Sequence, residues 1–264
     1  MTQTVNKHIK RDPNVNKIFD ARTLDKDYAT LKSLLKPGMQ VLDVGCGTGA
    51  ISKGIAKQVE PQGHVTGIDN TAHFIISGKE TYKEVENLDL IHTDLFEFES
   101  EKKFDLIIAA RTLQWLSNPV QALAKMKELL KPGGWISILD YNHTAIEWQP
   151  EPPASMQVFY KAFLKWREDA GMNNRVAEDA ASYFEELGMK NIEVLNAGET
   201  YYKGQNDFVN KISIWSKVAE STQMVDEGYI TNHDRLQAIE DYNNWVITNA
   251  EQMVMKLKET RGHI

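Results

Sequence analysis

The decapeptide Val41-Leu-Asp-Val-Gly-Cys-Gly-Thr-Gly-Ala50 constrains the fold most. Its glycines alternate at 45, 47 and 49, between an apolar strand-like run and a segment of helical period. Glycine tolerates the left-handed backbone of a tight turn and lets a ligand touch bare peptide groups. Strand, glycine turn and helix, in that order, make the first unit of an open parallel sheet that holds a nucleotide-like ligand at its carboxyl edge. Asp69 ends the next apolar run, where its carboxylate can accept two ribose hydroxyls. A nucleoside-bearing ligand is the first inference.

The rest of the chain fits such a sheet. From residue 39 onward, short β-branched runs at 39–44, 65–68, 88–91, 104–109 and 135–139 alternate with helical periods at 51–59, 71–87 and 118–130. The crossover at 97–103 is too short for a full helix. Lys36-Pro37-Gly38 and Lys131-Pro132-Gly133-Gly134 each stop a helix just before a strand. Residues 1–36 should add a helical arm packing Leu31, Leu34 and Leu35 on the sheet. Beyond residue 140 the pattern predicts a loop at 141–153, helices at 155–170 and 175–187, and a sixth strand at 192–201. Further helix over 205–249 would place Phe208, Ile212, Trp215, Val218 and Ala219 on one stripe. A seventh strand at 251–259 would put Met253, Met255 and Leu257 on one face. The expectation is an α/β fold: one doubly wound, mostly parallel, seven-stranded sheet in a single domain over 1–264. Its cofactor-binding core is 37–140, and its helical insertions are 141–190 and 205–250.

Composition narrows the function. With 264 residues, 42% of them hydrophobic, the chain can build its own core. The single cysteine, Cys46, cannot form an internal disulfide, and no Cys/His spacing suggests a metal site. Thirty Lys plus Arg against 37 Asp plus Glu give a net charge of -7, which argues against nucleic acid as the bulk partner. The N-terminus lacks the apolar core of a signal peptide, and no apolar run is long enough to span a membrane. A cytoplasmic, soluble protein without a membrane partner is expected.

Gly45-x-Gly47-x-x-Ala50 also satisfies the dinucleotide fingerprint, so an NAD-linked oxidoreductase must be weighed. A dinucleotide would bring a pyrophosphate against the loop, where Asp43, two residues before the first glycine, is an unfavourable neighbour. S-adenosylmethionine brings an ammonium and a sulfonium, which Asp43 would attract, and Gly49 would let the chain approach the amino-acid tail. Charge therefore favours the second ligand.

Five strings, VLDVGCGTG, GIDNTAHF, IHTDLFEF, FDLIIAARTLQWL and LLKPGGW, occur in order over residues 39–140. Together they resemble the successive motifs of the class I S-adenosylmethionine-dependent methyltransferase superfamily, small-molecule branch. RTLQWL and Thr-Tyr-Tyr-Lys-Gly at 200–204 are similar to the trans-aconitate and malonyl-carrier-protein carboxyl methyltransferases, with the menaquinone-biosynthesis methyltransferases a more distant match. The resemblance implies a seven-stranded Rossmann-like sheet with a reversed last strand. It implies S-adenosyl-L-methionine as cofactor and S-adenosyl-L-homocysteine as product.

Carried over by position, the resemblance makes Gly45, Cys46 and Gly47 the backbone surface for the methionine moiety. Asp69, with Asn70 beside it, becomes the ribose site. Phe74 falls where the family usually puts Met against the adenine, and Asp94 with Leu95 where it recognises the adenine amino group. The backbone around Ala110 and Arg111 would hold the methionine ammonium, although relatives carry Asn and Ala there. Arg22 is a candidate for the cofactor carboxylate, or else a solvated helix charge. Cys46 also reads as a small loop residue without chemistry, Asp94 as a cap, and Asp105 as a structural strand start.

A methyl sulfonium is already a strong electrophile, so the protein's work is alignment and removal of water. A carboxylate acceptor needs no base, whereas an alcohol, phenol or carbon acid does. His143 and Tyr141 after strand five, and Gln114 and Trp115 after strand four, are the candidates at the sheet's carboxyl rim; His143 is the first choice, its other reading being an exposed loop histidine. Ala109-Ala-Arg-Thr112 replaces the Asn-Pro-Pro-Tyr string of base-modifying amino methyltransferases. Of Trp148, Phe159, Tyr160, Phe163, Trp166, Tyr201, Tyr202 and Trp215, about a third should line a pocket and the rest the core. The expected activity is methyl transfer to a small organic acceptor, carboxylate or hydroxyl. A non-catalytic cofactor-binding module is the other alternative to the oxidoreductase.

Overall fold

The computed structural model describes residues 21–264, so most of the expected N-terminal arm lies outside the described residues. A short helix α1 (Leu24–Asp27) and a 3-10 turn (Ala29–Ser33) precede the sheet. Then follow β1 (Gln40–Val44), α2 (Ala50–Val59), β2 (His64–Asp69), α3 (Ala72–Thr81), β3 (Leu88–His92) and β4 (Phe104–Ala110). A 3-10 turn (Leu113–Trp115) leads into α4 (Pro119–Glu128) and β5 (Leu130–Gln149). The C-terminal half carries α5 (Ala154–Asp169), α6 (Val176–Glu186), β6 (Lys190–Asn196) and β7 (Glu199–Tyr202). Four helices, α7 (Phe208–Ile212), α8 (Ile214–Ala219), α9 (Gln223–Asp226) and α10 (Asn232–Thr248), end at β8 (Gln252–His263).

The strand order is β3-β2-β1-β4-β5-β8-β6, with β7 also paired to β8. Neighbours among β1 to β5 run parallel, while β8 runs antiparallel to β5, β6 and β7. The strands read as continuous apolar runs because both faces of the sheet are covered. Successive side chains point to opposite faces, so Val41, Leu106 and Ile108 enter one core with Leu31 and Ile55. Leu42, Ile107 and Ala109 enter the other with Leu123, Met126 and Phe184. Leu31 of the arm is fully buried, and Leu34 and Leu35 pack against the same cluster. Asp105 has the structural role expected, its Oδ2 accepting from the Gln40 amide and from Lys131 Nζ, each at 2.8 Å.

Three expectations are corrected. The predicted loop over 141–153 is mostly strand: β5 continues to Gln149, paired with β8, with a register shift between Asn142 and Glu147. Two aligned β8 segments give these residues ladder partners that local composition does not announce. Lys131-Pro132-Gly133-Gly134 lies inside β5 as an irregularity, Phe104 pairing with Leu130 and Leu106 with Trp135. Among the described residues the sheet has eight strands, because the expected sixth strand breaks at Ala197-Gly198 into β6 and β7. The reversed last strand is present as β8. Among the described residues no helix is long and apolar enough to cross a membrane.

Candidate functional site

Strand order reverses between β1 and β4, and this switch point opens a crevice at the strands' carboxyl ends. The turn after β1 is stitched to β2: the Gly45 and Cys46 amides both donate to the Ile68 carbonyl, at 2.8 and 3.0 Å. Gly45 (φ 72°), Gly47 (φ 58°) and Gly49 (φ 85°) are all left-handed, which explains the alternation. A Cβ on Gly45 would lie 2.4 Å from Thr112 Oγ1. A cavity of about 880 Å3 runs from this turn into the C-terminal helices.

Asp69 accepts from the Gly47 amide through Oδ2 (2.9 Å) and from the Thr71 amide through Oδ1 (2.8 Å). Each carboxylate oxygen has capacity for a further hydrogen bond, and Asp69 and Asn70 both line the cavity. Phe74, Asp94 and Leu95 line the next stretch. Asp94 also closes its own turn, Oδ1 accepting from the Phe96 amide at 2.9 Å, so the capping and binding readings are compatible. Gly49 is not among the lining residues. Its α-carbon faces Leu90, where a Cβ would approach to 2.9 Å, so its bareness serves packing against β3 rather than approach to a ligand.

Asp43 lies beneath the turn, 2% exposed, and accepts from Ser52 Oγ at 2.6 Å. Burial, opposed by that hydrogen bond and aided by nearby Asp69, pushes its carboxyl up to about 7. It is therefore only partly ionised near neutrality, and the charge argument for the cofactor is weaker than full ionisation would make it. Burial, with Asp43 and Asp69 nearby, pushes the Cys46 thiol well above its ordinary value, and a neutral thiol is a poor nucleophile.

Arg111 departs most from expectation. Its side chain is committed elsewhere: Nη2 to Glu199 Oε1 (2.6 Å), Nε to the Tyr141 hydroxyl (2.8 Å) and Nη1 to the Asp27 carbonyl (3.1 Å). It clamps β4 to β7 and α1 from a left-handed backbone (φ 59°). Only its backbone, with that of Ala110, is available as the expected ammonium surface, and both carbonyls already accept one bond, from Gln114 Nε2 and Thr112 Oγ1. Half-buried Arg22 lines the cavity, and burial and Arg111 lower its pKa, so it is not a solvated helix charge.

His143 and Tyr141 lie within β5 rather than in a loop after it. His143 is 6% exposed, so the exposed-loop alternative fails. Its ring meets Tyr141, Phe163 and Trp215, and its Nε2 faces Gln114 Oε1 at 2.5 Å. Burial and the Arg167 charge hold its pKa well below the usual 6.5, leaving the imidazole neutral. Beyond it the cavity is walled by Trp115, Phe159, Phe163, Trp166 and Trp215. Trp148, Tyr160, Tyr201 and Tyr202 are not in the lining, so half of the eight expected aromatics face the cavity. Sequence reasoning missed Arg167, Asp140 and Glu199. Arg167 sits on an amphipathic helix, where an arginine ordinarily reads as a solvated face, and no local signal shows that it is fully buried. Among the described residues no cluster of three or more His, Cys, Asp and Glu is placed to hold a metal ion.

The sheet, its switch point and the glycine turn held against an acid at the end of β2 define a nucleoside-binding methyltransferase scaffold. A methyltransferase domain family matches residues 35–208, and the chain belongs to that family. It is an S-adenosylmethionine-dependent methyltransferase, and this assignment stands against the oxidoreductase alternative. Over 172 residues it is 31% identical to the demethylmenaquinone methyltransferase of Staphylococcus aureus, covering 61% of this chain and 71% of that one. Among solved structures it is similar to phosphoethanolamine N-methyltransferase 2 of Haemonchus contortus (17% identity, TM-score 0.57), covering 90% of this chain and 52% of that one. The chain thus spans about half the length of the nematode enzyme. It is also similar to YjhP of E. coli (20% identity, TM-score 0.54, 98% and 97% covered). At these identities the two structures share the fold alone.

The residues fit the cofactor. Left-handed glycines leave the turn without Cβ atoms, and Asp69, each of whose oxygens accepts one backbone hydrogen bond and has capacity for another, lines the cavity beside it.

Proposed function

We propose that the chain methylates the hydroxyl of a small, largely apolar, ring-bearing acceptor. The observation that carries this reading is a neutral, buried imidazole, His143, on the wall of an aromatic-lined cavity. A carboxylate acceptor would call for a cation beside His143; of the cations lining the cavity, the Arg111 guanidinium is spent on Glu199, Arg22 is assigned to the cofactor carboxylate and Lys217 bonds Asn210 Oδ1, while Arg167 does not line the cavity. The demethylmenaquinone acceptor of the Staphylococcus relative supports a ring-bearing substrate.

Gly45, Cys46, Gly47 and the Ala110-Arg111 backbone would hold the methionine end of the cofactor, with Arg22 toward its carboxylate. Asp69 and Asn70 would hold the ribose, and Phe74, Asp94 and Leu95 the adenine. Bound there, S-adenosylmethionine supplies an electrophilic methyl group. His143 aligns the acceptor hydroxyl and takes its proton; a methylated hydroxyl oxygen is so acidic that even an imidazole of depressed pKa suffices. Tyr141, holding Arg111, shapes the same wall, and the apolar rings exclude water. The cofactor core expected over 37–140 extends through β5 to Gln149, and within the expected insertions 141–190 and 205–250 the parts that line the cavity, on α5 with the residues just after it and from Ile214 to Met224, would cover the acceptor, all in one domain. The lone cysteine suits a reducing compartment, and the cytoplasm is the proposed location.

The test is incubation with deuterated-methyl cofactor and a panel of phenols, alcohols and carboxylic acids, read by mass spectrometry. Label should appear on hydroxyl acceptors, and His143→Ala should slow that transfer at least tenfold. Label on carboxylic acids alone would overturn the reading; label on nothing would favour a non-catalytic module.

Asp43 makes a second expectation. A cation beside it favours its ionised form, so affinity for S-adenosylmethionine should climb with pH by up to about tenfold per unit below 7 and level off above. Asp43→Asn keeps an oxygen for the Ser52 hydroxyl and should flatten that profile, as calorimetric titrations on either side of neutrality would show. An unchanged slope in the variant would remove Asp43 from the binding site.

A further inference from the structure

An imidazole next to an acceptor can offer either a hydrogen or a lone pair, and here its neighbour decides which. Gln114 is held at three points. Its amide N–H donates to Asp140 Oδ2 (3.1 Å), and its carbonyl accepts from Arg167 Nη2 (2.7 Å). Its side-chain Nε2 donates to the Arg111 carbonyl (3.1 Å). The last bond fixes the amide's orientation, because the flipped group would set its oxygen against another carbonyl oxygen. Oε1 is then the atom facing His143 Nε2. An amide oxygen can only accept, so Nε2 carries the ring hydrogen. Nδ1 holds the lone pair, and no described residue bonds it.

The rest of the ring's surroundings agree. The His143 backbone is pinned by its amide donating to the Asn174 carbonyl (2.8 Å) and its carbonyl accepting from the Tyr160 hydroxyl (2.5 Å). The charged and titratable groups packed nearby are Arg167, Asp140, Tyr141 and Tyr160. Arg167 is wholly buried, with Nη1 unpartnered, and its Cζ lies 4.8 Å from the Trp115 ring centre and 5.4 Å from that of Phe163. A buried guanidinium beside the ring opposes a second positive charge.

We propose that Gln114 is a positioning residue that locks His143 as the Nε2–H tautomer, so that Nδ1 accepts a hydrogen bond from the methyl acceptor and the site selects hydroxyl donors over anionic carboxylates. This rests on the placement of His143 against the acceptor under the proposed function. It adds the polarity of that contact and the residue that sets it.

Nitrogen-15 NMR of the whole enzyme, with His143 assigned by comparison with His143→Ala, reads the tautomer directly. The native spectrum should show a protonated Nε2 and a bare Nδ1 at neutral pH. Gln114→Leu should abolish that single-tautomer signature and lower kcat for a hydroxyl acceptor about tenfold. Gln114→Glu places a carboxylate at Nε2. It should bring the His143 ring toward imidazolium at neutral pH and shift the kcat/KM ratio toward carboxylic acids about tenfold or more. A native Nδ1–H tautomer, or an unchanged tautomer and acceptor preference in Gln114→Leu, overturns the proposal; the native spectrum decides even if a variant does not fold. The predicted tautomer together with full activity of His143→Ala would instead refute the placement of His143 against the acceptor.

Discussion

Gly47→Val is expected to lower affinity for S-adenosylhomocysteine at least a hundredfold while leaving the fold intact. Gly47 stands in the turn with φ 58°, where a β-branched side chain is a true outlier, and left-handed backbone costs an ordinary residue about 1–2 kcal/mol. The larger effect is in the cavity, which Gly47 lines. A valine side chain would fill the space proposed for the methionine moiety and lift the chain away from it. Relief of backbone strain would also weaken the bond from the Gly47 amide to Asp69 Oδ2, disturbing the proposed ribose site from the same position. Calorimetric titration gives the affinity and circular dichroism the fold. Native-like binding by a folded variant would show that the cofactor does not rest on this turn.

Arg111→Met should destabilise the protein by about 3–5 kcal/mol, the range for removing one partner of a buried ion pair. The Arg111 side chain is 3% and that of Glu199 17% exposed, so little water can replace the lost guanidinium. Glu199 would keep the Tyr201 hydroxyl, at 2.7 Å, while the Tyr141 hydroxyl and the Asp27 carbonyl would lose the Arg111 donor. For a chain of this size the melting temperature should fall by roughly 10 °C. Adding Glu199→Gln should recover part of the loss, because the uncompensated charge is then gone. The pair also has a pH signature. Arg111 holds the Glu199 carboxyl below its ordinary 4.5 against the opposing effect of burial, so the stabilisation is present above that value and lost as pH falls through the lowered one. Unfolding free energy, followed by fluorescence in denaturant, should therefore fall more steeply with decreasing pH below 4.5 in the native protein than in Arg111→Met, which lacks that component. An unshifted melting temperature would mean the clamp is dispensable.

Arg111 also shows where sequence reasoning reaches its limit. The string FDLIIAARTLQWL marks the end of β4 and places Arg111 at the cavity, but the partners of its guanidinium come from α1, β5 and β7, between 30 and 88 positions away. His143 is similar. Its residue type and its position just past an apolar run nominate it, yet whether it sits in water or in a core depends on β8, which runs alongside β5 only because the chain returns after six more helices. The loop predicted over 141–153 fails for the same reason, since strand pairing supplied by a distant segment outweighs a local composition of polar and turn-forming residues.

The sequence by itself determined the parallel core, the glycine turn, the acid that closes on it and hence the class of ligand. Each of these is encoded locally: alternation of apolar residues, left-handed glycines and an acid at a strand end act within one βα unit. The tertiary structure alone decided that the sheet has eight strands, that Gly49 packs on Leu90 instead of lining the cavity, that Asp43 is buried and its carboxyl pushed up to about 7, and that Gln114 faces His143. These depend on burial and on hydrogen-bond partners contributed by residues far apart in the chain, and neither is a property of any short stretch of sequence.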